Sequence, residues 1–241
     1  MKKIVYVLLA GTMLFSSCES TQQILKTIGE QSGTAGSGLT NADIVAGLKE
    51  ALSVGARQSA TQLSTVDGFF RNAAIKILLP QEAQKVESTL RDLGMGSLVD
   101  KALLSLNRAA EDAASSAAPI FVNAIKGMTI QDALGILKGG DFAATSYLKG
   151  KTSTALTDAF RPVIQQSLSK VNATKYWSDV FSTYNKFSTN KVETDLTAYV
   201  TGKALEGIFY QVGLEEQKIR KDPVARTTEI LKKVFGSKVA G

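Results

Sequence analysis

Apolar positions recur three and four residues apart along most of this chain. In "TNADIVAGLKEAL", Ile44, Leu48 and Leu52 follow helical spacing. Thr40 and Asp43 stand just ahead of them at the spacing of a capping box. The same period returns in several later stripes, which include Leu98–Leu106–Ala113, Leu156–Phe160–Ile164–Leu168 and Leu196–Val200–Ile208–Val212. Strict alternation does not interrupt them, so the pattern predicts an all-α fold: a single compact multi-helix domain of about nine or ten helices over residues 40–241.

Proline, glycine and aspartate predict where these helices begin and end. Pro80 suits a first helical turn, where its missing N–H leaves no hydrogen bond unmade. Pro119 should kink or split the alanine-rich helix around "NRAAEDAASSAA". Asp141 and Asp195 are expected to cap the helices that follow them. Since alanine lets neighbouring helices approach closely, the alanine-rich helix is predicted to be central.

The first 17 residues have the pattern of an export signal. "MKK" is a short basic start, and the 12 uncharged residues from Ile4 to Phe15 form an apolar run. A helix that spans a membrane needs about 20 residues, so this run is too short for one. Residues 1–17 are therefore predicted to be a lipoprotein signal peptide.

Cys18 follows this signal and is the only cysteine in the chain. Small residues precede it, as in a bacterial lipobox, although Leu14 stands one place early and Phe15 takes the usual leucine position. An unpaired cysteine in an exported protein needs a reason, and acylation supplies one. The alternative is an ordinary signal peptide with a chance cysteine. Residues 18–39, glycine- and serine-rich at their end, are predicted to be a flexible tether.

The amino-acid composition limits the kinds of binding and catalysis that this chain can support. The chain has 28 basic and 22 acidic residues, and loss of Lys2 and Lys3 on cleavage would leave 26 against 22, a net charge of about +4. This balance permits contact with anionic lipid but lacks the dense basic stripe of a nucleic-acid binder. Histidine is absent, which excludes histidine bases and histidine-containing triads. We predict no catalytic residue, metal or cofactor, and favour a non-enzymatic role, with carboxylate or lysine chemistry as the remaining enzymatic option.

Two segments carry polar residues at helical spacing. Asn107 and Glu111 share one face of the alanine-rich helix, with Arg108 beside them. A buried Glu111 would need a cationic partner, either in a polar binding site or in a structural ion pair, and the ion pair is favoured. In the C-terminal segment Tyr199 and Lys203 are four residues apart.

The segment "YWSDVFSTYNKF" concentrates aromatic residues. Tyr176, Trp177, Phe181 and Tyr184 are candidates for an aromatic-lined pocket or a surface that rests on a membrane. The alternative is a helix face turned toward the core, the commoner role of such a stripe.

Four blocks, "DGFFRNAAIKILLP", "NRAAEDAA…API", "AATSYLKGKT" and "YVTGKALEGIFYQVGLEEQKIRKDPVARTTEILKKVFG", resemble the domain-of-unknown-function family numbered 4197. That family consists of bacterial exported proteins, often lipoproteins. The resemblance implies a helical exported domain and transfers no catalytic residue. Polar residues within these blocks are our candidates for a shared polar site: Asn72, Asn107, Arg108, Glu111, Tyr199, Lys203, Glu215, Arg220 and Arg226.

Together these features favour a lipid-anchored helical protein of the bacterial envelope, with a binding or structural role. Its expected location is the outer membrane, facing the periplasm. The expected partners are the membrane, through Cys18, and either an envelope protein or an apolar small molecule, but no nucleic acid. One alternative is a carrier of a lipid-like ligand between helices, which needs a cavity of several hundred Å³. The other is an enzyme that uses carboxylate or lysine chemistry.

Overall fold

In the computed structural model the described residues are 40–187, 189, 195–226 and 228–236, and their regular structure is helical without any strand. Residues 39–241 belong to one compact unit. The all-α fold class is confirmed. Residues 1–39, with Cys18 and the predicted tether, lie outside the described residues. The α-helices in chain order are α1 (Asn41–Ser64), α2 (Gln84–Asp92), α3 (Gly96–Ala114), α4 (Ala117–Lys126), α5 (Ile130–Leu137), α6 (Ala143–Lys170), α7 (Ala173–Phe187), α8 (Leu196–Lys221) and α9 (Glu229–Phe235), with short 3₁₀ turns at Gln81–Ala83 and Pro223–Ala225.

Helix α1 begins at the predicted capping box. The Thr40 side chain accepts from the N–H of Asp43, and the Asp43 carboxylate accepts from the N–H of Thr40. Asp195 caps α8 as predicted, since it accepts from the N–H of Ala198 at 2.9 Å. Each cap satisfies backbone donors that the first helical turn leaves free.

The predicted cap at Asp141 is wrong. Helix α6 has Phe142 at its N-cap, which makes no side-chain capping bond. Asp141 instead accepts from Lys221 at 2.7 Å, in an exposed ion pair. Glu216, which is distant in the sequence, satisfies the first N–H groups of α6 and so removes the need for a local cap.

The alanine-rich helix is central, as predicted. Ala109, Ala110, Ala113 and Ala114 of α3 are all fully buried. Helix α3 packs against α6 and α8, which also pack against each other. The predicted α6 stripe from Leu156 to Leu168 is fully buried as well. The small face of α3 therefore lets the larger side chains of α6 and α8 pack closely against it and bury apolar surface.

Pro119 lies in the first turn of α4, just after the helix is interrupted between Ala114 and Ala117. Its missing N–H falls where no helical partner exists. The predicted split of the alanine-rich helix is confirmed.

None of the described helices is by itself both long and apolar enough to cross a membrane. One bent pair, Gly96–Lys126 with Ile130–Lys138, meets the length and composition requirement only as a whole, across a bend of 108°. Leu106, Phe121 and Ile136 within it are buried in the domain core.

Candidate functional site

Between α1 and the first 3₁₀ turn, residues 65–80 form a long irregular segment that α3 holds in place. The Asn107 amide oxygen accepts from the N–H of Ile77 at 2.8 Å. Its amide nitrogen donates to the carbonyls of Ile77, at 2.9 Å, and Leu103, at 2.7 Å. Asn107 thus pairs with both main-chain groups of Ile77, as a neighbouring strand would. Because Asn107 is fully buried and satisfied, this contact fixes the segment against the core.

Glu111 holds the same segment one helical turn further along α3. One carboxylate oxygen accepts from the N–H groups of Phe69 and Phe70, at 3.0 and 3.1 Å. The other accepts from Arg108 at 2.5 Å, and Arg108 also donates to Asp67 at 2.7 Å. These contacts give Glu111 a structural role, with Arg108 as its cationic partner.

A groove of about 650 Å³ separates residues 74–84 from α8. The Tyr199 hydroxyl bridges its two walls by donating to the carbonyl of Leu78 at 2.7 Å. Lys203 and Glu206 lie on the helix wall and form an ion pair at 2.7 Å. Leu78 and Tyr210 also line the groove and are 53% and 45% exposed. The groove therefore combines paired charges with accessible apolar surface.

Burial against the groove wall raises the pKa of Tyr199. Its ring is stacked on that of Trp177, with centroids 6.4 Å apart and planes at 14°. Desolvation raises the pKa of Tyr199 to about 12, helped by the negative charges of Glu206 and Glu82. The phenol therefore stays protonated, and remains a hydrogen-bond donor, to a higher pH than an exposed tyrosine does.

Gly207 lets α8 and the irregular segment meet. A Cβ atom at Gly207 would lie 2.4 Å from the ring of Phe69, which is fully buried. The same segment is thus fixed from α3 by hydrogen bonds and from α8 by close packing.

A second set of buried polar contacts joins α8 to the α5–α6 connection. Glu216 accepts from the N–H groups of Ala144 and Thr145, at 3.0 and 2.8 Å, at the start of α6. Arg220 pairs with Glu216 at 2.9 Å and donates to the carbonyl of Ile136 at 2.7 Å, near the end of α5. The pair therefore satisfies the free groups at two helix ends together.

The remaining candidates do not line the groove. Arg226 donates to the carbonyls of Ile219 and Arg220 at the end of α8. Glu215 pairs with Lys218 at 2.6 Å. Asn72 accepts from the N–H of Ala74 and lines a separate shallow depression with Asp67.

The nine polar candidates are thus divided among several places, and the groove itself contains Tyr199 and Lys203. The sequence reading missed Glu206 and Tyr210, although the spacing of Lys203 and Glu206 could have suggested an ion pair. It also missed Leu78, because no periodic pattern marks the irregular segment.

Of the four aromatic candidates, Trp177 alone has a described side chain. It is 8% exposed and stacked on Tyr199. The side chains of Tyr176, Phe181 and Tyr184 lie outside the described part of the structure. Among the described residues, a partly open space between Leu48, Ala144 and Phe235 measures only about 10 Å³. No group of three or more carboxylate side chains in the described chain is arranged to hold a metal ion.

Comparison with known proteins gives one match. The model of the family described as "Protein of unknown function (DUF4197)" matches residues 38–236. No curated protein gives a significant match to the chain, and neither does any solved structure. The match covers the helical unit from just before α1 to the end of α9, and it agrees with the resemblance seen in the four sequence blocks. The chain belongs to the DUF4197 family.

Proposed function

We propose that this protein is a lipid-anchored component of the bacterial envelope whose helical domain binds another envelope protein in the groove between residues 74–84 and α8. Cys18 carries the acyl chains, and residues 18–39 tether the domain to the outer membrane on its periplasmic side. The proposal assigns no catalytic step.

The proposed binding role rests on one observation: buried polar side chains of α3 hold the groove wall in place. Asn107, a buried side chain of the central helix, binds both main-chain groups of Ile77 in that wall. Glu111, also buried, binds the N–H groups of Phe69 and Phe70 in the chain that leads to the wall. Burying polar groups is costly unless they are fully hydrogen-bonded. Here their hydrogen bonds hold an irregular, non-helical segment in one conformation. Such order, present before a partner arrives, reduces the entropy lost on binding.

The groove lining favours a protein surface as the occupant. Lys203 and Glu206 on the helix wall, with Lys76 and Glu82 on the other, supply two charges of each sign. Leu78 and Tyr210 supply exposed apolar contacts beside them. Balanced charges around a partly apolar centre resemble the composition of protein–protein interfaces, whereas a lipid tail would need a dry apolar cavity.

Site-specific photocrosslinking in living cells tests the groove. A photoreactive amino acid at Tyr210 should give a discrete adduct, and the same residue at Val171, which is similarly exposed, should not. A second substitution, Glu206→Lys, reverses one groove charge and should abolish the Tyr210 adduct. Identical adducts from both positions, or an adduct unaffected by Glu206→Lys, would show that the groove is not the binding surface.

Fractionation of Cys18→Ser tests the anchor. The wild-type protein should be found with membranes, and the variant should be released or remain as uncut precursor. A variant that is processed normally and stays in the membrane fraction would contradict the lipid anchor.

A further inference from the structure

Helices α2 and α3 form a hairpin whose connecting turn is exposed. Helix α2 has no buried residue. Apart from the preceding 3₁₀ turn, α3 is the element against which it mainly packs. The turn between α2 and α3 therefore belongs to the accessible surface of the domain.

Apolar side chains are exposed at this end. Leu93, Met95 and Leu98 are 69%, 40% and 51% exposed. The buried face of α3 begins at Val99, which is 3% exposed, so Leu98 lies outside that face. We call Leu93, Met95 and Leu98 the hairpin tip.

The backbone of the tip is fixed rather than frayed. Gly94 has φ of +78°, a conformation that glycine adopts without strain. The N–H of Met95 donates to the carbonyl of Leu90 and that of Gly94 to the carbonyl of Arg91, the two bonds of a Schellman motif. Arg91 then joins the helices, since it pairs with Glu87 of α2 and Asp100 of α3, both at 2.9 Å. The tip side chains are consequently presented in a defined arrangement.

The charges around the tip cancel. Residues 85–101 contain three basic and three acidic side chains: Lys85, Arg91 and Lys101 against Glu87, Asp92 and Asp100. A surface chosen by electrostatic attraction would show an excess of one sign. Net charge therefore gives the tip no attraction for a partner of either sign.

The exposed apolar area of the tip distinguishes between two kinds of apolar partner, a second copy of the chain and a lipid bilayer. Three partly exposed side chains make a patch on the order of a few hundred Å². A stable dimer buries about 800 Å² on each partner, so the tip is too small to hold a second copy of the chain. Shallow insertion into a bilayer needs only a few apolar side chains when another anchor already keeps the protein at the surface.

We propose that the hairpin tip inserts into the interfacial region of the lipid bilayer and acts as a second, apolar contact beside the acylated Cys18. This inference rests on the proposed lipid anchor. Residues 18–39 can reach at most about 79 Å when fully extended, while a domain of roughly 200 residues has a radius of gyration of about 16 Å. The tether thus permits any face of the domain to meet the membrane, and tethering raises the effective concentration of the tip at the bilayer.

A fluorescent probe at the tip tests the inference on the full acylated chain. Because Cys18 is the sole cysteine and is consumed by acylation, a cysteine introduced by Met95→Cys can be labelled alone with an environment-sensitive dye. In phosphatidylcholine vesicles the dye should shift to the blue and be quenched by brominated lipid. The matched control is Val224→Cys, which is 86% exposed elsewhere on the domain and should stay in water.

Two further conditions identify the contact. Adding Leu93→Ser and Leu98→Ser to the labelled chain should abolish the blue shift, and raising the salt concentration should leave the shift unchanged. A shift that salt removes would overturn the proposal. So would a shift without vesicles that grows with protein concentration, because it would indicate self-association.

Flotation of the same samples separates the two proposals. If the chain does not float with vesicles, the lipid anchor fails and the tip contact fails with it. If the chain floats but the dye at position 95 behaves like the dye at position 224, the anchor stands and the tip proposal is wrong.

Discussion

At the scale of single residues, Glu111 shows how a buried charge can serve the fold. Its side chain is 4% exposed and receives two backbone N–H groups together with Arg108. We predict that Glu111→Gln lowers the free energy of unfolding by about 2–4 kcal/mol, because the new amide N–H groups would face the donors of Arg108. Urea unfolding measures the change.

The neighbouring residue supplies the control for Glu111. Asp112 is exposed and accepts from Ser167 at 2.5 Å, so Asp112→Asn should change the free energy of unfolding by less than about 1 kcal/mol. If Glu111→Gln were as stable as Asp112→Asn, the structural role of Glu111 would be wrong, and a ligand-binding role would again need consideration.

Two glycines of α8 should respond in opposite directions to alanine. At Gly207 a Cβ would meet the buried Phe69 ring, whose backbone Glu111 already holds. Overpacking of this kind should lower the free energy of unfolding by about 1–3 kcal/mol. At Gly202 nothing lies within 4 Å, so alanine should raise the free energy of unfolding by about 0.5–1 kcal/mol through helix propensity. Thermal melts of both variants check the contrast, and equal shifts would contradict the close packing at Gly207.

Tyr199 should make stability fall at high pH. Its pKa in the folded state is about 12, above the ordinary value near 10. Between these values the folded state keeps the proton that the unfolded state releases, so the contribution of Tyr199 is complete below pH 10 and is lost as pH rises toward 12. Tyr199→Phe removes both the titration and the bond to Leu78. The difference in urea midpoint between wild type and Tyr199→Phe should therefore shrink from pH 9 to pH 11, and a constant difference would show that the tyrosine pKa is not raised.

At the scale of secondary-structure elements, the contact between α8 and the α5–α6 connection depends on Arg220. This side chain reaches the carbonyl of Ile136 and neutralises Glu216, which is 4% exposed. Arg220→Met would leave the Glu216 carboxylate without its cation and should lower the free energy of unfolding by about 2–4 kcal/mol. The adjacent Lys221→Met breaks an ion pair with Asp141 of similar length but high exposure, and should cost less than about 1 kcal/mol. Comparable losses in the two variants, measured by urea unfolding, would contradict the assigned role.

The elements also show what sequence patterns can predict. The stripe of α6, the capping box at Thr40 and the break at Pro119 follow from local spacing, and each appears in the structure. The α3 stripe is buried from Leu106 onward, but its predicted first member, Leu98, is 51% exposed. The expected cap at Asp141 failed because Glu216, 75 residues away along the chain, satisfies the same donors. Local rules assign a donor to its sequence neighbour, and tertiary contacts can replace that neighbour.

The groove was harder to anticipate for the same reason. Tyr199 and Lys203 were identified from their spacing on one helix, but the opposite wall consists of residues 74–84, which have no helical period before the 3₁₀ turn. Asn107 and Glu111 were identified as polar residues on one face of the alanine-rich helix, yet the groups that they hold in the irregular segment are main-chain groups at least 30 residues away. Main-chain groups carry no sequence signature, so only the structure reveals them.

At the scale of the whole molecule, α3, α6 and α8 share one core, and α1 packs on α4, α5, α8 and α9 around it. Helices that share so much buried surface should unfold together. We predict that the Cys18→Ser chain unfolds in one cooperative step, with a helical far-ultraviolet circular dichroism spectrum before the transition.

The single tryptophan allows this to be tested with two independent probes. Trp177 lies on α7, is 8% exposed and stacks on Tyr199 of α8. Its fluorescence therefore reports the packing of α7 on α8, while circular dichroism reports all the helices at once. Because α7 also packs on α6, its release should require the loss of the shared core, and the two melting curves should coincide. A fluorescence transition several degrees below the loss of helix would show that α7 detaches as a separate unit, while a strong β-sheet signal would contradict the fold class itself.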